Sequence, residues 1–153
     1  AMAFKKGDID GSVKFFDEAI SYETDNVKKA ESAYKAASVL ASAKKISQAR
    51  SYAQKAISFN ENYGAPYILI AQLYAGNYKW NDEPALNKCT FFAAIDKLQR
   101  AKAVDPSVAE EANKLISSYS AYTPEAKDLF MLGYKAGDRI TIGGWIGETT
   151  TIR

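Results

Sequence analysis

Two stretches with the same apolar spacing decide the fold: AYKAASVL at residues 33–40 and YILIAQLY at residues 67–74. Their apolar positions stand at i, i+3, i+4 and i+7, which places them on one face of an α-helix. These positions are Ala33, Ala36, Ala37 and Leu40 in the first stretch and Tyr67, Ile70, Ala71 and Tyr74 in the second. The second set follows the first after 34 positions. A fixed period of this length predicts helical units that stack on one another.

A second pattern marks the helices that would pair with these two. Three segments carry a small residue, an apolar residue and an alanine at i, i+4 and i+7: Ser12-Phe16-Ala19, Ala49-Ala53-Ala56 and Ala94-Leu98-Ala101. Small side chains let antiparallel helices approach closely, and larger ones fill the space between successive pairs. The intervals are 37 and 45 positions, so three extra residues fall near 23–25 and about 11 form an insertion around 77–84.

Two further helices are expected after the repeats. Ser107 and Glu110 have the spacing of a capping box, which predicts a helix over 107–121 that closes the stack. Thr123-Pro124-Glu125 places a capping residue before a proline, which predicts a short helix that ends near Gly137.

The composition excludes several classes of function. Of the 153 residues, 47% are hydrophobic and 25% charged, as in an ordinary globular domain. The 20 basic and 18 acidic residues are spread evenly, so no concentrated positive field favours nucleic acid. The chain has no histidine, no catalytic or phosphate-binding motif and one cysteine, so we expect no enzyme, cofactor or metal site. No apolar run approaches the ~20 residues that span a bilayer.

The repeat pattern resembles the tetratricopeptide repeat (TPR) family. Residues 7–20, GDIDGSVKFFDEAI, are similar to the second helix of a TPR unit, and AKAVDP at residues 101–106 is similar to its exit. The resemblance implies an all-α, right-handed TPR-type solenoid of helix-turn-helix units, with a capping helix. The expected units are about 1–24, 25–62 and 63–106, with the capping helix at 107–121 completing a domain over 1–121. The first unit lacks most of its leading helix, so we expect the chain to begin partway through a repeat.

The C-terminal part, residues 122–153, changes character. Its residues from Asp138 onward are β-rich, and glycines stand where they could turn the chain between 139–142 and 148–152, which predicts a short hairpin or extended tail. The ending GWIGETTTIR resembles the C-termini of a group of bacterial cell-envelope TPR proteins. This resemblance favours the periplasm or cell envelope, with the cytoplasm as the alternative.

The TPR resemblance also implies a concave groove lined by the first helix of each unit. By register, the candidate partner-binding residues are Glu31, Tyr34, Ser38, Ile68, Gln72 and Asn113. For Tyr34 and Ile68, burial against a neighbouring helix is the alternative to an apolar groove floor. The lining is small, polar and nearly uncharged, and it lacks the basic clamp with which some TPR proteins grip acidic chaperone tails.

Two tryptophans outside the repeats are further candidates for partner binding. Trp80 stands in the insertion, where it either shields the apolar edge of the helices or forms a contact surface. Trp145 stands in the tail, which either caps the last helix, lies in the chain's own groove or pairs with another chain. Cys89 is expected to be a small buried residue at the start of a helix.

These observations leave three functions open. The first is an interaction scaffold that binds a peptide or partner protein through the groove, the insertion or the tail. The second is a structural component of a bacterial envelope complex or a homo-oligomer. A carrier of a small molecule is the third, since tyrosines could line a pocket in the groove.

Overall fold

The computed structural model describes residues 6–153, and side chains from Asp8 onward. The chain is mainly helical, with one small antiparallel sheet near its C-terminus, as predicted. Among the described residues no helix is both long and apolar enough to cross a membrane. The elements are α1 (Lys6–Tyr22), α2 (Asn26–Ser42), α3 (Ile46–Phe59), α4 (Ala65–Gly76), α5 (Pro84–Lys88), α6 (Thr90–Val104), a 3-10 turn (Pro106–Val108), α7 (Ala109–Ser120), α8 (Ala126–Met131), β1 (Arg139–Thr141) and β2 (Thr149–Thr151).

The long helices pack in chain order, each against the one before it. α1 packs on α2, α2 on α3, α3 on α4, α4 on α6 and α6 on α7. All eight apolar positions of the two deciding stretches are buried, as are the alanines of α3 at 49, 53 and 56. Because alanine faces meet between α2 and α3, these helices lie close together and bury their contact surface completely.

The first helix is held at the edge of this stack. The hydroxyl of Tyr52 on α3 donates to both carboxylate oxygens of Asp17 on α1, at 2.8 Å. Burial, with the Asp17 carboxylate adding to it, raises the pKa of Tyr52 to about 12. Ser12, Phe16 and Ala19 are only half-buried, unlike the matching residues of α3 and α6.

The insertion between α4 and α6 contains its own short helix, α5. The buried Asn87 organises it: the side-chain oxygen accepts from the backbone N–H groups of Trp80 and Asn81, at 2.8 and 2.7 Å. Its side-chain amide donates to the carbonyl of Asn81, at 2.7 Å. The buried hydroxyl of Thr90 then ties the start of α6 to the carbonyl of Tyr78. Side-chain hydrogen bonds therefore fix this loop where no regular backbone ladder can.

The junction between α6 and α7 differs from the prediction. Ser107 and Glu110 form no capping box; the Asp105 carboxylate accepts from the backbone and hydroxyl of Ser107 and caps a 3-10 turn. The other carboxylate oxygen accepts from the N–H of Gly64 at 2.9 Å, which ties the start of α4 to this junction. These hydrogen bonds lower the pKa of Asp105, with the Ser107 side chain as the largest cause. Asp105 precedes Ser107 by two residues, and its carboxylate accepts from both Ser107 and Gly64. Asp105 therefore takes the capping role that was predicted for Ser107.

The short C-terminal helix begins later than predicted and ends earlier. It runs over Ala126–Met131, and the hydroxyl of Thr123 donates back to the carbonyl of Ser120 and does not cap it. The hairpin prediction is confirmed: Arg139 pairs with Thr151 and Thr141 with Thr149 in antiparallel register. The turn between the strands uses positive φ at Gly144 and Gly147, which glycine adopts without steric cost.

Residues 122–153 do not form a core of their own. Leu129 of α8 and the tail isoleucines are buried in one cluster with Tyr74 of α4 and Phe92 and Leu98 of α6. The isoleucines are Ile140, Ile142, Ile146 and Ile152. The tail is therefore part of the same hydrophobic core as the helices.

Gly64 is a position where this packing leaves no room for a side chain. A Cβ there would lie 2.5 Å from Cγ2 of Val108 and 2.9 Å from Cβ of Asp105. We expect Gly64→Ala to lower the free energy of unfolding by about 1–3 kcal/mol, through overpacking. Gly11→Ala is the matched control, because Gly11 lies inside α1 with nothing within 4 Å, and it should stabilise by roughly 0.5–1 kcal/mol. Urea unfolding followed by circular dichroism measures both; equal effects would contradict the prediction.

Candidate functional site

The predicted groove residues of α2 and α4 lie on neighbouring helices. α2 contacts α4 directly as well as through α3. Ser38 and Gln72, which are 34 positions apart, occupy matching places on the two helices; Gln72 is exposed and Ser38 half-buried. On α2, the half-buried Tyr34 lies one turn before Ser38 and the exposed Glu31 lies two turns before it. This accessible surface, formed by Glu31, Tyr34, Ser38 and Gln72, is called the α2–α4 face below.

One end of the α2–α4 face carries a pair of tyrosines. The rings of Tyr34 and Tyr63 meet edge to face with centroids 5.5 Å apart. Burial raises the pKa of Tyr63 to about 12, and the charges on Tyr34, Glu31 and Asp105 add to this effect. Tyr63, in the turn between α3 and α4, was not predicted as a groove residue. In the sequence, Tyr63 is marked only by its place just before the second stretch, residues 67–74. Its contact with Tyr34 is created by the packing of the helices and has no local pattern.

Of the two other predicted groove residues, the structure buries Ile68 and leaves Asn113 exposed. Ile68 is 4% exposed and packs in the main core, so of the two alternatives for this residue the structure has burial against neighbouring helices and not an open groove floor. The reason is that α4 lies between α3 and α6 and packs against both. Asn113 on α7 is exposed, but its side-chain oxygen accepts from Lys102 on α6, at 2.9 Å. The hydroxyl of Ser38 donates to the carbonyl of Tyr34 within the same helix.

The structure brings the insertion and the tail together at a second candidate site. The half-buried Trp80 donates its indole N–H to the carbonyl of Leu86, at 3.1 Å. Its ring lies against Gly143 of the tail so closely that a Cβ there would stand 2.8 Å from Cε3 of the indole. Trp80 therefore covers the tail, and the loop packs on the protein's own apolar surface.

Trp145 is held on the other side of the same junction. Its ring meets that of Tyr74 edge to face at 5.4 Å, and its indole N–H points to the carbonyl of Asn77, at 3.5 Å. The guanidinium of Arg50 lies 4.9 Å from the centre of the Trp145 ring, a cation–π distance. Trp80 and Trp145 together with these neighbours are called the loop–tail junction below.

Arg50, on α3, is the residue of the junction that sequence reasoning missed. Its two terminal nitrogens donate to the carbonyls of Trp145 and Ile146, at 2.6 and 2.7 Å, across 95 and 96 sequence positions. It also donates to the hydroxyl of Tyr74, at 3.3 Å. The planar guanidinium suits such a paired contact, because it presents two N–H donors side by side.

Charged groups of α6 extend this network along β2. The hydroxyl of Tyr74 donates to Glu148, whose other oxygen pairs with Lys97 at 2.6 Å. The pKa of Tyr74 is raised, first by burial and then by the hydrogen bond to Glu148. Further along, Asp96 accepts from the hydroxyl of Thr150 at 2.6 Å and pairs with Arg153. The polar groups of this network hydrogen-bond or pair with each other, so the network fixes the tail against the helices.

Cys89 is buried at the start of α6, as predicted. Burial raises the pKa of its thiol to about 11, so the thiolate is nearly absent at neutral pH. The thiol donates weakly to the carbonyl of Ala85, at 3.5 Å. Such a group packs as a small apolar side chain, and it is poorly placed to act as a nucleophile or a metal ligand.

The Arg50 contacts predict how firmly the tail is docked. We expect Arg50→Met to lower the free energy of unfolding by about 2–3 kcal/mol, because two tail carbonyls lose a charged donor. Arg50→Lys should recover less than half of this loss, since an ammonium cannot serve both carbonyls and also stack on Trp145. Arg100→Met, on the exposed side of α6, is the control and should change stability by less than about 0.5 kcal/mol. Urea titrations followed by tryptophan fluorescence test this directly, since both tryptophans lie at the junction; equal loss in Arg50→Met and Arg100→Met would count against it.

Comparison with known proteins adds no relative to this description. No family model, no curated protein sequence and no solved structure matches the chain. The geometry of the chain itself is therefore the basis for proposing a function.

Proposed function

We propose that this chain is a TPR-like helical scaffold that binds a segment of another protein on the α2–α4 face. The observation that carries the proposal is the 34-residue match between α2 and α4. Both helices bury the same four apolar positions, and the matching positions Ser38 and Gln72 on these two neighbouring helices both remain accessible to solvent. A repeated accessible surface on a rigid helical stack is the kind of platform on which solenoid proteins hold extended partners.

The chemistry of the face indicates what kind of segment it would hold. Its small and amide side chains offer hydrogen bonds without a strong field, and its charged residue is Glu31. Tyr34 and Tyr63 add an aromatic end with polar hydroxyls, a combination that is frequent in binding surfaces. A neutral or weakly basic segment with an aromatic or aliphatic side chain next to Tyr34 fits this surface better than an acidic one.

Selection from a displayed library of random peptides tests the proposal. Selected peptides should bind the full chain saturably and share an apolar position and a low content of Asp and Glu. The double variant Glu31→Lys with Gln72→Lys should raise the Kd at least about tenfold, because it places two cations on a face complementary to neutral or basic peptides. Fluorescence anisotropy with a labelled peptide gives the Kd values.

The matched control is Glu18→Lys with Gln54→Lys, which makes the same chemical changes at exposed positions of α1 and α3. This control should alter the Kd less than about twofold. If both double variants weaken binding equally, or if no peptide binds saturably, the α2–α4 face is not the binding site.

A second candidate function, self-assembly, is favoured by the outer side of α1. Phe15 is 65% and Tyr22 87% exposed, and they lie on one stripe of the helix with the half-buried Ser12 and Ala19. Within residues 6–153, α1 packs chiefly on α2, and the rings of Phe15 and Tyr22 remain uncovered there. Exposed apolar surface of this kind is typical of sites where another chain or segment docks.

Analytical ultracentrifugation over a wide concentration range separates the two functions. Assembly through α1 predicts a concentration-dependent dimer or larger species that Phe15→Ser with Tyr22→Ser dissociates, through the loss of buried aromatic surface. The control, Tyr122→Ser, removes an aromatic of similar exposure between α7 and α8 and should leave the association unchanged. A monomer at every concentration would contradict self-assembly and leave the scaffold proposal in place.

A further inference from the structure

A cavity of about 410 Å³ lies between α8 and the last two residues of the tail. Its inner wall includes Leu129 and Ile152, which are 1% and 2% exposed and belong to the main core. Tyr134 and the alanines at 126 and 136 complete its apolar lining. The volume is within the range of about 300–1,000 Å³ that is usual for small-molecule sites.

The rim of this cavity carries the largest exposed apolar side chains of the C-terminal part. Phe130 is 75% and Met131 84% exposed, although both stand beside the buried Leu129. The cause lies in the sequence LFML at residues 129–132, which has more apolar side chains than one side of a single helical turn can bury. Nothing in the described chain covers Phe130 and Met131. The aromatic ring of Phe130 and the flexible side chain of Met131 can fold over an apolar ligand.

The charged side chains that line the cavity are all cationic. The charged residues of its lining are Lys127, Lys135 and Arg153, and no carboxylate side chain is part of it. Lys127 makes an exposed ion pair with Glu125, at 3.4 Å, and Arg153 pairs with Asp96. Lys135 forms no ion pair with any described residue, and the nearby Asp138 carboxylate accepts its backbone N–H. A cation without a partner beside an apolar cavity favours an anionic head group on an apolar ligand.

We propose that this cavity binds a single-chain anionic amphiphile, such as a fatty carboxylate. The hydrocarbon chain lies against Leu129, Ile152 and Tyr134 under Phe130 and Met131, and the carboxylate lies beside Lys135 at the rim. An apolar cavity of this size fits one alkyl chain, whereas a partner helix would need a longer groove. The site shares no residue with the α2–α4 face, so it adds a ligand to the protein independently of the proposed scaffold function.

Isothermal titration of the full chain with dodecanoate, below the concentration at which it forms micelles, tests the proposal. We expect one saturable site per chain and a Kd that rises about fifteenfold when decanoate replaces dodecanoate, since two fewer methylenes are buried. Dodecyltrimethylammonium, with the same chain and the opposite charge, should show no saturable binding. Equal affinity for the cationic and anionic amphiphiles would overturn the proposal.

Two matched pairs of variants locate the site. Lys135→Glu should raise the Kd for dodecanoate about tenfold, whereas Lys28→Glu, at an exposed position of α2, should not change it. Phe130→Glu should weaken binding at least as much, whereas Phe15→Glu, at a similarly exposed phenylalanine of α1, should have no effect. All four positions are exposed, so circular dichroism should show an unchanged fold. Absence of saturable binding, or equal losses within each pair, would overturn the proposal, as would binding only to anionic vesicles.

Discussion

The close contact between alanine faces is the constraint on which the rest of this structure depends. Alanines 33, 36 and 37 of α2 and alanines 49, 53 and 56 of α3 are all completely buried. Because these side chains are small, the two helix backbones lie close together, and a larger residue at any of these places would push them apart. The close approach of α2 and α3 in turn sets the position of α4, which packs between α3 and α6. A helix in that place must be apolar on most sides, which explains why Ile68 belongs to the core.

The tail changes this open stack into a closed unit. Four isoleucines of the tail complete the apolar core, while Arg50 and Glu148 tie its backbone and side chains to α3, α4 and α6. The insertion contributes Trp80 as a cover over the tail. The two segments in which the sequence departs most from a regular repeat are thus parts of one junction. Polar groups that would be costly to bury alone are paired there, and the pairing fixes one arrangement of the tail.

This closure leaves two surfaces of different chemistry. The α2–α4 face is polar and nearly uncharged, and we propose that it holds an extended segment of another protein. The cavity beside α8 is apolar inside and cationic at the rim, with Lys135 free of an ion pair within the described chain, and it suits a small anionic amphiphile. Trp80 and Trp145, which stood out in the sequence as candidates for partner binding, mainly contact residues of their own chain.

The sequence by itself determined the helices, their 34-residue period, the place of the insertion and the hairpin at the end. These features depend on local spacing and on turn glycines, which act within a few residues. Only the tertiary structure decided that Arg50 holds the tail, because its partners lie 95 and 96 positions away and one arginine among 20 basic residues carries no local signal. Likewise Asp105 displaced Ser107 as a cap because it also meets Gly64, 41 positions earlier. Contacts between distant residues depend on how whole helices pack, and that is settled by the burial of all the faces together.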